Sequence, residues 1–179
     1  MKNFFILTLF CVTFTYGQSK YLTRSGLLTF EASMPAFEEV KAKNETVTAI
    51  FNSDNGEIAI LALIKGFRFK NALMEEHFNE SYIESSQFPK AIFKGKIDNY
   101  QPNSIQKNVK LSGSLNLHGV TKPIITQLEI VKSENEIIMK GSFNVLASDY
   151  AIEIPKIVRN KVSDVVNILF NFKLNKKSD

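Results

Sequence analysis

Apolar and polar residues alternate with a period of two along four stretches of this chain, and this pattern is its strongest constraint on the fold. The stretches are residues 90–98 (KAIFKGKID), 109–119 (VKLSGSLNLHG), 137–147 (IIMKGSFNVLA) and 166–174 (VNILFNFKL). Successive side chains of a β-strand point to opposite faces of its sheet, so each stretch predicts a strand with one dry and one wet face. Such strands are typical of antiparallel sheets, because parallel sheets are usually buried on both faces.

The rest of the chain adds four predicted strands and one predicted helix. The strands lie at about residues 20–33, 43–52, 57–69 and 120–132, and the turn NSDNGE joins the second to the third. Residues 71–84 carry helix-forming residues with apolar side chains at helical spacing, which predicts one helix, continuous or broken. Residues 148–164 predict a long loop that contains a turn of helix.

The first 17 residues predict a secretory signal peptide. They open with Lys2, continue through an apolar core from Phe4 to Phe14 and end in small or turn-forming residues. We therefore expect cleavage after Gly17, an exported mature domain at residues 18–179, and a periplasmic or secreted location. No other segment reaches about 18 uninterrupted apolar residues, so we expect no transmembrane span in the mature chain.

Composition narrows the architecture and the function. Four of the 15 phenylalanines lie in the predicted signal, which leaves 11 for a mature chain of about eight strands and one helix, so a closed barrel or a sandwich is expected. Cys11 is the sole cysteine and leaves with the signal, which excludes disulfides and thiolate chemistry in the mature chain. Without Lys2, 21 basic residues face 18 acidic ones with no basic stripe, so we expect no nucleic-acid partner, whereas weak attraction to an anionic lipid surface stays open.

Three glycines occupy equivalent dry-face positions in the predicted strands. Gly95, Gly113 and Gly141 end the similar triplets FKG, LSG and MKG. Glycine inside a strand marks a sharp bend or the close approach of another group. Two compatible interpretations follow, namely strands that coil tightly around a barrel and an internal cavity for an apolar ligand.

Candidates for catalysis and metal binding are sparse. His77 and His118 are the only histidines, and neither a His-x-x-x-His pair nor a compact cluster with carboxylates accompanies them. No G-x-S-x-G elbow and no G-x-G-x-x-G loop is present. We therefore predict no catalytic residue, no metal and no cofactor. Lys156, Arg159 and Lys161 form a small basic group, either a solvated surface or a contact for an anionic lipid head group.

The stretch LSGSLNLHGVTKPIITQLEI (residues 111–130) resembles the signature strand pair of the YceI-like family of polyisoprenoid-binding proteins. Supporting similarities are FPKAIFKGKI (residues 88–97), the preceding HFNESYIESSQFP and the ending VSDVVNILFNFKL. The resemblance implies an exported, lipocalin-like antiparallel barrel that encloses an elongated apolar pocket for a long isoprenoid or similar lipid. Within ASDYA, Ala147 and Ala151 stand where many members have an arginine and a glycine, which removes any head-group role of that arginine.

The leading functional hypothesis is therefore a carrier that holds an isoprenoid or other long-chain lipid inside an all-β barrel of about eight strands, without catalysis and with transient membrane contact. The predicted ligand-binding residues are Phe93, Gly95, Gly113, Leu115, Leu117, Gly141, Phe143, Phe170 and Phe172, with Lys156 and Arg159 as head-group contacts. One alternative is a structural or stress-response barrel with a filled core that acts through a protein partner. Another is a hydrolase or isomerase that acts on a sequestered lipid. Nothing in the sequence indicates the oligomeric state.

The dry-face alternation of residues 115–118 also predicts a local role for His118. Leu115 and Leu117 are expected to face the barrel interior, while Asn116 and His118 face outward. Gly119 allows a turn and Pro123 donates no amide hydrogen bond, so this segment reads as a corner of the sheet. We expect His118 to brace that corner through hydrogen bonds.

Overall fold

The computed structural model describes residues 19–35, 37–102 and 105–177, which lie in one continuous sheet and its connections. The predicted signal peptide lies outside the described residues. The strands are β1 (Lys20–Ser33), β2 (Lys41–Asn52), β3 (Glu57–Leu63), β4 (Arg68–Phe69), β5 (Lys90–Ile97), β6 (Gln106–Leu117), β7 (Val120–Lys132), β8 (Glu136–Leu146) and β9 (Val162–Lys176). The α-helix α1 (Ala72–His77) continues into one π-helical turn at Phe78–Tyr82, and short 3₁₀ turns lie at Ile64–Gly66, Ser148–Tyr150 and Lys156–Val158.

Eight of the nine described strands form a closed antiparallel barrel. The order β1-β9-β8-β7-β6-β5-β3-β2 returns to its start through pairing of β1 with β2, and the two-residue β4 pairs with the first residues of β2. Each strand pairs with its neighbour in antiparallel register, for example Gly95 opposite Gly113 between β5 and β6. The predicted all-β, lipocalin-like barrel with one short helix is confirmed, and closure excludes the sandwich.

The structure corrects one predicted strand and refines the helix. Residues 57–69 do not form a single strand, because β3 ends at Leu63 and the chain turns through a 3₁₀ turn before β4. Asn44, fully buried on β2, donates from Nδ2 to the Leu63 carbonyl and so occupies the place where the strand would have continued. The predicted helix at residues 71–84 is present in broken form, as α1 followed by the π-helical turn.

The barrel has a filled end and a hollow end. We call the end at which the 53–56 and 133–135 turns lie the closed end, and the end that carries residues 34–40, 64–89, 118–119 and 147–161 the mouth. Side chains almost fully shielded from solvent fill the closed half, namely Tyr21, Phe51, Ile58, Ile97, Leu128, Ile130, Ile137, Met139 and Leu174. Tyr100 packs edge-to-face on Phe51, with 5.3 Å between ring centroids, and covers this core.

The dry-face glycines make room for aromatic rings that lie flat against the sheet. A Cβ at Gly113 would lie 2.5 Å from Cζ of Phe93 and 2.5 Å from the Lys94 carbonyl oxygen, and one at Gly95 would lie 2.7 Å from the same ring. A Cβ at Gly141 would lie 2.5 Å from Cζ of Phe170. These glycines therefore serve close packing, as the closure interpretation expects.

A test of this packing is the substitution Gly113→Ala. The added methyl group collides with a ring on one side and with backbone on the other, so we expect the free energy of unfolding to fall by about 1–3 kcal/mol. Ser114→Ala, at the exposed neighbouring position, is the matched control and should change it by less than about 0.5 kcal/mol. Urea denaturation of both variants measures the difference, and equal midpoints would refute the packing role.

Tyr100 predicts a loss of stability at alkaline pH. Burial, followed by the nearby charges of Tyr21 and Asp54, raises the pKa of Tyr100 to about 12. In the unfolded chain this tyrosine loses its proton at about pH 10. Between about pH 10 and 12 the free energy of unfolding therefore falls as pH rises. Urea midpoints measured from pH 8 to 11.5 should fall more steeply for the native protein than for Tyr100→Phe. Parallel curves would contradict the shifted ionisation.

Candidate functional site

The mouth half of the barrel encloses a cavity of about 370 Å³. This volume lies in the range of about 300–1,000 Å³ that is usual for small-molecule sites. Its floor rests on the closed-end core at Phe172, which is fully buried, lines the cavity and lies opposite the core residue Met139. Its opening lies between three segments: residues 34–40, which contribute Glu38 and Val40, the helical segment 71–83, and residues 152–163.

The structure places six of the predicted ligand-binding residues on the cavity wall. They are Phe93, Leu115, Leu117, Phe143, Phe170 and Phe172. Gly95, Gly113 and Gly141 are not among the lining residues, because the rings of Phe93 and Phe170 cover them. Lys156 and Arg159 do not line the cavity either; both are exposed on the 147–161 loop, where Arg159 donates from Nε to the Ile154 carbonyl. Ligand contact at all of these positions stays a prediction.

Sequence reasoning missed an aromatic cluster at one side of the opening. Phe30, Phe67, Phe69 and Phe78 all line the cavity, and the ring centroids of five of their six pairs lie 5.2–6.1 Å apart. Phe30 comes from β1, Phe67 and Phe69 flank the start of β4, and Phe78 begins the π-helical turn. The alternating pair Phe67 and Phe69 was a usable signal, because it is dry-face spacing next to the helix.

The cavity wall is almost wholly apolar, and the protein itself uses several of its polar atoms. Thr126 donates to the Ser142 carbonyl at 2.7 Å. Asn71 accepts from the Leu73 and Met74 amides as the N-cap of α1 and donates to Glu38. Among the described residues, no lysine or arginine lines the cavity. Apolar surface is favourably removed from water here, whereas a buried anion would lack a counter-charge.

Outside the cavity wall, His118 joins three segments of the mouth. Its Nδ1 lies 3.0 Å from the Tyr150 carbonyl oxygen, and its Nε2 lies 3.1 Å from Oε2 of Glu84. The Tyr150 carbonyl can only accept a hydrogen bond, so Nδ1 is the ring nitrogen that donates to it, and Nε2 is left to face the Glu84 carboxyl group. The Phe88 ring covers the imidazole at a centroid distance of 4.2 Å. We call His118, Glu84 and Tyr150 the clasp.

The clasp is built from backbone that side chains rarely adopt. His118 has φ +50° and Glu84 has φ +47°, both in the left-handed region, and Gly119 completes the β6–β7 turn at φ +75°. The predicted bracing role of His118 is confirmed by its two hydrogen bonds. In agreement with the predicted outward orientation, His118 does not line the cavity, but Phe88 and the 148–150 turn cover it and leave its exposure at 9%.

Beside the clasp, strands β7 and β8 separate toward the mouth. Both strands are described in full, and their pairing runs from Lys132 opposite Ile137 to Gln127 opposite Ser142, where it stops. Their other edges stay paired to the ends, at Val120 opposite Leu117 and Leu146 opposite Val165. We call this unpaired stretch the seam. Thr126 bridges its lower end by donating to the Ser142 carbonyl.

Tyr150 lies at the seam and is 1% exposed. It lines a second cavity of about 200 Å³ between the diverging strand ends, with Lys122 and Asp149 at its rim. Its phenol oxygen has no hydrogen-bond partner among the described residues. Burial, reinforced by the Asp149 charge, raises the pKa of Tyr150. The buried ring therefore contributes a neutral, mainly apolar side chain to the wall of this second cavity.

The two histidines occupy different places. His77 ends α1 and lines the cavity opening, whereas His118 belongs to the clasp and is absent from that lining. Within the described residues, no group of three or more histidine, aspartate or glutamate side chains is arranged to hold a metal ion. No helix in the described part of the chain is long and apolar enough to cross a membrane.

A family model for the YceI-like domain matches residues 20–174. The chain belongs to the YceI-like family. The match covers every strand of the barrel, and it includes the hairpin with His118 and Gly119 on which the sequence resemblance was founded. A search of curated proteins found no match to this YceI-like chain.

Solved structures share the fold of this YceI-like protein at low sequence identity. A polyisoprenoid binding domain from Saccharophagus degradans, implicated in plant cell wall breakdown, superposes with a TM-score of 0.75 at 17% identity, covering 90% of this chain and 100% of that one. BcnA of Burkholderia cenocepacia gives 0.69 at 13% identity, covering 83% and 95%. A YCEI protein of Campylobacter jejuni gives 0.66 at 18%, covering 81% and 90%.

The clasp predicts that the two histidines differ in their contribution to stability. His118→Asn keeps a residue that tolerates positive φ but cannot reach both acceptors, so we expect the free energy of unfolding to fall by about 1–3 kcal/mol. His77→Asn, on the exposed end of α1, is the matched control and should change it by less than about 0.5 kcal/mol. Thermal and urea denaturation measure both. A His118 variant as stable as the control would show that the clasp does not stabilise the fold.

Proposed function

We propose that this protein is an exported carrier that holds the apolar chain of an isoprenoid or similar long-chain lipid inside the mouth half of its barrel, without catalysis. The observation that carries the proposal is the cavity of about 370 Å³ with an almost wholly apolar wall. A blind apolar floor and an opening at the mouth suit a ligand that enters tail first.

The proposed ligand class is supported by the description of a structurally similar protein. The Saccharophagus degradans neighbour is described as a polyisoprenoid binding domain, and it shares the barrel at 17% identity. An isoprenoid chain is apolar and branched, and Phe30, Phe143 and Ile168 offer it a mixed aromatic and aliphatic wall. Each buried methylene would contribute about 0.8 kcal/mol, so a chain can bind firmly with few polar contacts.

The proposal for the polar end of the ligand follows from where the polar groups lie. Polar side chains of the lining concentrate at the opening, where Glu38, Asn71, His77 and Tyr82 lie, while the floor is apolar. A lipid head would therefore remain at the mouth in contact with water, because burying it against the floor would leave its polar atoms unpaired. Lys156 and Arg159 belong to this proposal as contacts for the part of a ligand that projects from the mouth.

Export is proposed from residues 1–17, whose charged start, apolar core and turn-forming end match a signal peptide. A carrier of this kind would act in the periplasm or outside the cell. The alternative of a filled structural barrel fits the closed half, where Phe51 and Met139 are fully shielded from solvent. The cavity in the mouth half weighs against it.

Mass spectrometry of the protein purified under non-denaturing conditions tests the proposal most directly. We expect a long-chain lipid to be released on organic extraction, at up to one molecule per chain. The delipidated protein should then take up a fluorescently labelled prenyl alcohol. A protein that arrives empty and fails to take up the probe would favour the structural alternative.

A variant test separates the cavity from the rest of the surface. Leu117→Trp places a larger ring into the cavity near its opening, so we expect probe affinity to fall at least about tenfold while the fold persists. Leu169→Trp, on the outer face of β9 and outside both cavity linings, is the matched control and should bind as the native protein does. Equal affinities in a fluorescence titration would show that the ligand occupies another place.

A further inference from the structure

The opening of the cavity is ringed by exposed apolar side chains. Ile157 is 85% exposed at the tip of the 147–161 loop, Leu73 is 56% exposed on α1, and Phe37 is 45% exposed on the 34–40 segment. Each of the three segments that form the opening thus presents one large apolar side chain to solvent. We call these three side chains the rim.

The rim is continuous with the cavity wall. Leu73 itself lines the cavity, while Phe37 lies next to the lining residue Glu38. Ile157 lies between Ile154 and Val162, both of which line the cavity. The loop side contributes Ile152, Ile154 and Val162 to the cavity lining, so the inner surface of the opening is largely apolar there. A lipid chain that left a bilayer at this place would meet these apolar side chains inside the opening.

Unpaired cations accompany the most exposed rim residue. Lys156, Arg159 and Lys161 surround Ile157 in the sequence and are all exposed. Within the described residues, none of these three forms an ion pair; elsewhere at the mouth four cations are engaged, while Lys65 and Lys90 are also unpaired. The engaged pairs are Lys70 and Lys41 with Glu39, Arg68 with Glu75, and Lys122 with Asp149.

The charged side chains are distributed unevenly between the two sides of the rim. On the loop side, Asp149 and Glu153 are exposed acids, and Asp149 is paired with Lys122, which leaves Glu153 against three cations in the same loop. On the helix side, Glu76 and Glu80 are exposed, so that side of the rim is acidic. A surface of anionic lipid head groups would attract the loop side and repel the helix side. Ile157 and its cations would therefore make the first contact.

We propose that the mouth docks on an anionic lipid bilayer, with Ile157 inserted among the head groups and Lys156, Arg159 and Lys161 paired with lipid phosphates. The inference rests on the proposed carrier function and names the partner from which the carrier takes its ligand. Apolar side chains that enter the interface, flanked by lysine and arginine, are the usual basis of such peripheral binding. The bilayer is the sole occupant proposed for the rim.

Vesicle co-sedimentation of the purified protein tests the docking. We expect binding to vesicles with about one third phosphatidylglycerol, weaker binding to pure phosphatidylcholine, and loss of the difference at high salt, because salt screens exposed charges. Ile157→Ser and the pair Lys156→Glu with Arg159→Glu should each weaken partitioning at least about tenfold. Both changes are at exposed positions, and circular dichroism verifies that the variants are folded.

Matched controls lie away from the mouth. Ile105→Ser alters an isoleucine that is 64% exposed at the closed end, and Lys94→Glu with Lys96→Glu makes the same change in net charge on the outer wall of β5. Neither should change partitioning by more than about twofold, because a docked mouth holds both away from the bilayer. Control variants that weaken binding as much as the rim variants would overturn the proposal, since attraction would then follow net charge alone.

The outcomes separate the docking from the carrier function. A protein that takes up the prenyl probe but does not bind anionic vesicles overturns the docking and leaves the carrier proposal standing. A protein that binds vesicles through Ile157 but takes up no probe leaves the docking standing and removes the carrier. Size-exclusion chromatography adds a further outcome, because a dimer that Ile157→Ser dissociates would identify a second copy as the occupant and overturn the docking.

Discussion

The backbone pairing of β1 along both of its edges closes the barrel, and the other features depend on this closure. One edge of β1 pairs with β2 and the other with β9, so the ring leaves no long unpaired strand edge at this position. The register shifts around Gly26 on the β2 side and between Leu22 and Leu27 on the β9 side, and such irregularities bend a strand. A Cβ at Gly26 would lie 2.6 Å from Cδ1 of Phe172, so the bend also brings β1 onto the core.

Closure forces all dry faces to converge on one axis, and the size of the side chains then decides which part of the interior is solid. Large side chains from neighbouring strands meet in the closed half, where Ile130 and Ile137 are almost fully shielded from solvent. In the mouth half, the rings of Phe93 and Phe170 lie over glycines against the wall instead of crossing the interior. The same residue types thus build a filled core in the closed half and a cavity in the mouth half.

The sequence predicted the strands well because alternation reports directly on which face is buried. It also placed Phe93, Leu115 and Phe170 on what became the cavity wall, since all three lie on dry faces. It could not predict that His118 is buried, because this burial depends on Phe88 and on a turn 32 residues away that supplies the Tyr150 carbonyl. The end of β3 at Leu63 escaped prediction for a similar reason, because the Asn44 side chain that bonds it comes from another strand.

The seam between β7 and β8 is a stretch of the wall where neighbouring strands are not paired. Elsewhere a wider barrel would require backbone ladders to break or slide, because diameter is tied to strand number and stagger. At the seam, the Thr126 hydroxyl bonds the Ser142 carbonyl, and the 148–150 turn, which His118 holds through the Tyr150 carbonyl, lies against the strand ends. The distance between these two strand ends is therefore set by side-chain contacts and by one turn, and not by a backbone ladder.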